Sequence, residues 1–154
     1  MFDMSSLSLE LKMSPGICSA GGFLGRGDIL GDVLKKDDEL VKSLGLTHSI
    51  IADRIEYFLK KINYPSQKGA IIDEKYLVGG IAYRGGQECP WGDVGFSMPY
   101  SNLNLFATNL ALNETVKFPG GIVHLIREHH FYEGFNSPYR VDPAIITRIL
   151  DITP

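Results

Sequence analysis

The sequence predicts an α+β fold in a single compact domain over residues 1–154, with an N-terminal helical pair, central short antiparallel strands and two C-terminal helices. Three observations lead there. Apolar residues recur at helical spacing between 28 and 62 and again after 119. The stretch between 70 and 118 is β-like, in short runs broken by turn residues. Neither an internal repeat nor a low-complexity linker divides the chain, and 154 residues that are 44% hydrophobic suffice for one core.

The elements follow in order. Leu7, Leu9 and Leu11 alternate with Ser8, Glu10 and Lys12, the period-two pattern of a half-buried strand. Residues 14–27 form a glycine-rich loop. Ile29, Leu30, Val33, Leu34, Leu40, Val41 and Leu44 then repeat at helical spacing, with Asp28 as the expected cap, Gly45 as the left-handed stop, and Gly31 and the 35–39 charge run as points where the helix would divide. A second helix starts from Thr47 as N-cap, carries Ile50, Ile51, Ile55, Phe58, Leu59 and Ile62 as its stripe, and stops before Pro65.

Residues 76–83 read as a strand, with Gly79 and Gly80 marking a bulge or tight bend. Residues 103–110 and 115–118 read as two strands joined in a hairpin. Pro119 is expected to open a third helix, and Asp142-Pro143 a fourth, as N-cap and N1 proline.

Composition excludes several functions. The formal net charge is -3, with 8 basic and 9 acidic residues in 1–65 and 7 and 9 in 66–154, so no basic footprint for nucleic acid exists. The N-terminus lacks the basic and apolar regions of a secretory signal, and no window approaches the roughly 18 apolar residues that span a bilayer. The expectation is a cytoplasmic protein without membrane or nucleic-acid partners. Cys18 and Cys89 are too few and too separated for a disulfide framework, as suits a reducing compartment.

Motif tests narrow the field. Gly22 to Gly27 has P-loop glycine spacing, but Asp28 and Ile29 stand where lysine and a hydroxyl belong, so a structural turn is the better reading. LGLTHSIIADRI resembles the start of a helix-turn-helix, yet the helix runs on without a turn. His124 is followed by three residues before Glu128-His129, one too many for an inverted zincin motif.

At ~100° per residue, His129 continues the apolar stripe of its helix. His124 falls roughly 140° away and is not expected to share a metal with it. No cofactor is expected from the sequence; the alternative is a tertiary zinc site of Cys89 with His129 and His130, weighed against a core histidine packed beside a buried thiol. The same thiol and imidazole would also serve nucleophilic chemistry.

Eleven of the sixteen aromatics lie between Tyr76 and Tyr139. Phe131, Tyr132, Phe135 and Tyr139 crowd one loop beside Glu133 and Arg140, and Trp91 and Asp93 occupy another. Trp91, Asp93, Phe131, Tyr132, Glu133, Tyr139 and Arg140 thus form a candidate surface for a protein partner, since aromatics and arginine dominate interface hot spots. The structural alternative is that the loop packs on its own aromatics, with Arg140 paired to Glu133 or Asp142.

The segments GGFLGRGDIL, LGLTHSIIADRI, ECPWG and HLIREHHFYEGFNSPYRVDP resemble a group of small bacterial proteins with no assigned activity. The resemblance implies a bacterial cytosolic setting and carries no fold, substrate or residue role. Three functions are therefore compared: a non-enzymatic binding or accessory protein using the aromatic loop, favoured because no acid–base pair, metal motif or cofactor loop survives the tests; a metal-binding protein or hydrolase using Cys89 with His129 or His130; and an enzyme using Glu128, Glu133 and His124. The last requires a pocket with perturbed carboxylates or histidines beside those residues.

Overall fold

The computed structural model describes residues 4–16, 21–62 and 65–154 of the chain. Among the described residues five helices accompany a four-stranded antiparallel sheet, the α+β arrangement anticipated above. Cys18 and part of the glycine-rich loop lie outside the described residues.

The first element departs from expectation. Residues Met4–Met13 form a helix, α1, rather than a strand. Leu, Glu, Lys and Met are strong helix formers, and no β-branched residue interrupts them. Leu9 and Met13, four apart, share the inward side, with Met13 fully buried and Leu11 exposed. The Glu10 carboxylate accepts from Leu30 N at 2.9 Å, so α1 caps the start of α2 (Leu30–Ser43).

Asp28, the expected cap, instead accepts from Gly25 N and Asn136 N. Helix α2 also runs unbroken through Gly31 and the charge run, burying Leu30, Val33, Asp37 and Val41. Gly45 ends it with φ of 72°, the left-handed conformation that glycine adopts without a Cβ penalty. Helix α3 (His48–Lys61) starts where the sequence places it, with Thr47 Oγ1 accepting from Ile50 N.

Strands β1 (Ala70–Ile72), β2 (Tyr76–Ala82), β3 (Leu103–Asn109) and β4 (Glu114–Pro119) pair in sequence order. Tyr76, Val78, Leu105, Ala107, Val116 and Phe118 face the core, while Ile71 and Ile81 lie on the outer face. No bulge occurs at Gly79-Gly80, which pair in register with Phe106 and Leu105. The glycines make room instead, because a side chain at Gly79 would run into the Ser66 carbonyl that receives Gly80 N.

Pro119 ends β4 rather than opening a helix. Gly120 and Gly121 turn the chain into α4 (Ile122–His129), which packs on α3. Helix α5 (Pro143–Ile149) packs on α2, β3 and β4, and the Asp142 carboxylate accepts from Ala144 N and Ile145 N. Among the described residues no helix is long and apolar enough to cross a membrane.

Candidate metal centre

The site begins with a tight turn in the 83–102 loop. Cys89-Pro90-Trp91-Gly92 places proline second and glycine fourth, the residues a type I turn favours, and Gly92 N donates to Cys89 O at 2.9 Å. The turn brings Asp93 back beside Cys89. Farther out, Met98 N donates to Gln87 O at 2.8 Å and draws the two arms of the loop together.

Helix α4 supplies the opposite side. Ile122, Val123, Leu125 and Ile126 anchor it in the core, which leaves His124 and His129 on the flank that faces the loop. His124 Nε2 lies 3.0 Å from one Asp93 carboxylate oxygen, and His129 Nε2 lies 2.8 Å from the other. The Cys89 Sγ sits 3.4 Å from the same His129 Nε2. All four ligand atoms fall within 4.8 Å of one another.

The electrostatics follow from half-burial. Burial of Asp93 favours its neutral form, but hydrogen bonds from the Cys89 thiol and His124 outweigh this and hold the carboxyl at about 2. Burial, reinforced by the Asp93 carboxylate, pushes the Cys89 thiol up to about 12. Burial lowers His129 against the opposing pull of Asp93. Trp91 lies flat on the His129 ring, with centroids 4.0 Å apart and planes 4° from parallel.

His124 and His129, roughly 140° apart on a helical wheel, nonetheless turn toward the same carboxylate. Angles on a helical wheel describe where side chains leave the backbone, not where long side chains end. Asp93 stands between the two, and the rings approach to 5.4 Å.

His130 goes elsewhere. Its left-handed conformation, φ 56°, ends α4 and turns the residue away from Cys89. It stacks on His48 at 4.1 Å instead. His48 bonds Asp38 through Nε2 and the buried Tyr132 hydroxyl through Nδ1, at 2.8 and 2.9 Å.

The aromatic loop is largely interior. Phe131 and Tyr132 are fully buried and Glu133 nearly so, because Val141 N bonds back to Tyr132 O and Gly134 N to Phe23 O. These three cannot present a docking surface. Tyr139 and Arg140 are half-buried, Phe135 and Asp93 are exposed, and Trp91 is covered mainly by His129 and Phe131. Arg140 pairs with neither expected carboxylate. Its guanidinium forms two 2.8 Å bonds to Asp37, and Nη1 also bonds the Glu133 backbone carbonyl.

Asp93 and His124 are the ligand candidates that motif reading missed. The signal lay in two spacings, Cys-x3-Asp and His-x4-His, neither of which is diagnostic until the loop and helix face each other. No protein-family profile, curated protein or solved structure matches the chain.

Proposed function

We propose that this chain is a zinc-binding protein, with the metal held by Cys89, Asp93, His124 and His129 and fastening the 83–102 loop to α4. The observation that carries the reading is that both imidazoles turn the same nitrogen, Nε2, onto one carboxylate beside a thiol. A nucleophilic cysteine relay would use His129 differently, with one ring nitrogen on the thiol and the other on the acid. Here Cys89 and Asp93 both approach Nε2, which suits a common centre better than a relay.

The donor set fits zinc: one thiolate, two imidazoles and one carboxylate. Around a tetrahedral ion at Zn–N of about 2.0 Å and Zn–S of about 2.3 Å, neighbouring ligand atoms stand about 3.3–3.5 Å apart. The present 2.8, 3.0 and 3.4 Å separations would each widen by about half an ångström or less. Four protein ligands make a closed site, hence a structural role. A hydrolytic role comes second and would require Asp93, whose side chain is 35% exposed against 12% and 14% for the histidines, to yield its place to water.

Elemental analysis of tag-free protein, purified without added metal, tests the reading. The expected result is about one zinc per chain, lost in Cys89→Ser and His124→Ala but kept in His130→Ala. Absence of zinc from protein that also fails to take it up on addition overturns it.

A non-enzymatic, partner-binding function has its own support. A cleft of about 830 Å³ runs between Phe135, Tyr139 and Arg140 of the aromatic loop and Ile81, Tyr83 and Phe106 on the sheet. Tyr83→Ser combined with Phe135→Ser should abolish capture of a partner that wild-type protein retains, and unchanged capture rejects this surface.

A further inference from the structure

A second cavity, of about 230 Å³, lies between the 83–102 loop, α4 and the 133–139 segment. Glu133 lines it, yet this residue is only 2% exposed. Among the described residues its carboxylate has one hydrogen-bond partner, the Ser137 hydroxyl at 3.4 Å. That hydroxyl has a single proton, shared with a shorter 2.7 Å bond to Gly22 O, so what Glu133 receives from it is weak. Arg140 is committed to Asp37 and to the Glu133 backbone carbonyl. Among the described residues lining the cavity there is no lysine, arginine or histidine.

A buried carboxyl whose one partner is a long bond from a neutral hydroxyl is costly, and an apolar residue would fill the space at less cost. Glu133 also holds a left-handed backbone, φ 67°, which carries strain for a residue with a Cβ. Burial pushes its carboxyl well above the usual range, which agrees with a site whose counter-charge must come from outside.

We propose that this cavity binds a small organic cation of the alkylammonium class, anchored on the Glu133 carboxylate. Ile122, Leu125 and Met98 offer apolar wall for an alkyl chain, and the rings of Tyr139 and Phe23 line the same space, where aromatic faces favour a cation. The volume falls below the roughly 300 Å³ at the small end of drug-sized pockets, so the ligand has few heavy atoms. This inference is independent of the zinc reading, because none of the four proposed ligands lines the cavity.

Amide chemical-shift titrations of the protein as purified test it, using butylammonium chloride, 1-butanol and sodium butyrate as probes. Saturable shifts are expected at Gln87, Ser101, Leu125 and Glu133 with butylammonium, with the alcohol and the carboxylate weaker by about tenfold or more. Glu133→Gln should weaken butylammonium by about the same factor. Equal binding of butanol or butyrate, undiminished binding in Glu133→Gln, or no saturable shift at these residues overturns the proposal. The three-probe comparison on wild-type protein decides the matter should the variant not fold.

Discussion

Trp91 covers one face of His129, ring on ring at 4.0 Å, and so fixes the plane in which His129 presents Nε2. Outer partners of this kind orient a ligand, and their loss commonly costs about 10–100-fold in metal affinity. Trp91→Ala is expected to weaken zinc binding by about tenfold without abolishing it, as read by competition with a chromophoric chelator. Since Trp91 is the only tryptophan, its emission should also change saturably with one equivalent of zinc added to chelator-treated protein. Unaltered emission despite bound metal would remove the stack from the site.

His124 and His130 should behave differently. His124→Ala is expected to lose the stabilisation by zinc, which amounts to about 2.7 kcal/mol when free zinc is a hundredfold above Kd. His130 is exposed, and His130→Ala should cost less than about 1 kcal/mol with the zinc response intact. Thermal melts with and without zinc check both, and the reverse ranking would place the metal at the Asp38, His48 and His130 group instead.

Glu133 and Asp38 should give opposite pH slopes. Burial raises the folded-state value of Glu133, so its contribution is complete below the ordinary 4.5 and is lost as pH rises. Glu133→Gln should therefore melt higher than wild type at pH 8 and at nearly the same temperature at pH 4. Asp38 is held at about 2, first by its hydrogen bond from Lys42 and then by that from His48. Its contribution is present above the ordinary 3.8 and fades as pH falls through about 2. Because the side chain is 35% exposed, Asp38→Asn should cost less than about 1 kcal/mol at neutral pH.

Removing the guanidinium that faces Asp37 should be severe. Asp37 is 2% exposed and bonded to Arg140 twice, so Arg140→Ala strands a buried carboxylate at an expected cost of about 3–5 kcal/mol. Arg140→Ala combined with Asp37→Leu should recover much of this in urea unfolding. A single variant within about 1 kcal/mol of wild type would show the pair to be dispensable.

Elements whose signals are local were legible in the sequence. Thr47 caps α3, Asp142-Pro143 opens α5, and the hairpin read over 103–110 and 115–118 forms with its ends shifted by one residue, since each depends on neighbours a few residues away. Residues 7–11 misled because a two-residue alternation over so short a run does not exclude a helix, in which Leu9 joins Met13 on the inward side and Leu11 turns outward. Gly79-Gly80 answers to Ser66, and Phe131 to Glu133 are buried by partners at Phe23 and Val141, distant pairings that no periodicity records. Cys89 and His129 stood out by residue type. Asp93 and His124 gain meaning only from a meeting across 31 positions.

The bond from Met98 to Gln87 gives one loop two duties, for Cys89 and Asp93 lie between residues that wall the cavity. If zinc sharpens the placement of Gln87 and Met98, it also tightens the cavity's ligand, and linkage then requires that ligand to tighten zinc by an equal factor. Neither affinity would be a fixed constant of the chain. Each would be a function of the other's occupancy, and a measurement of one would be incomplete without stating the free concentration of both.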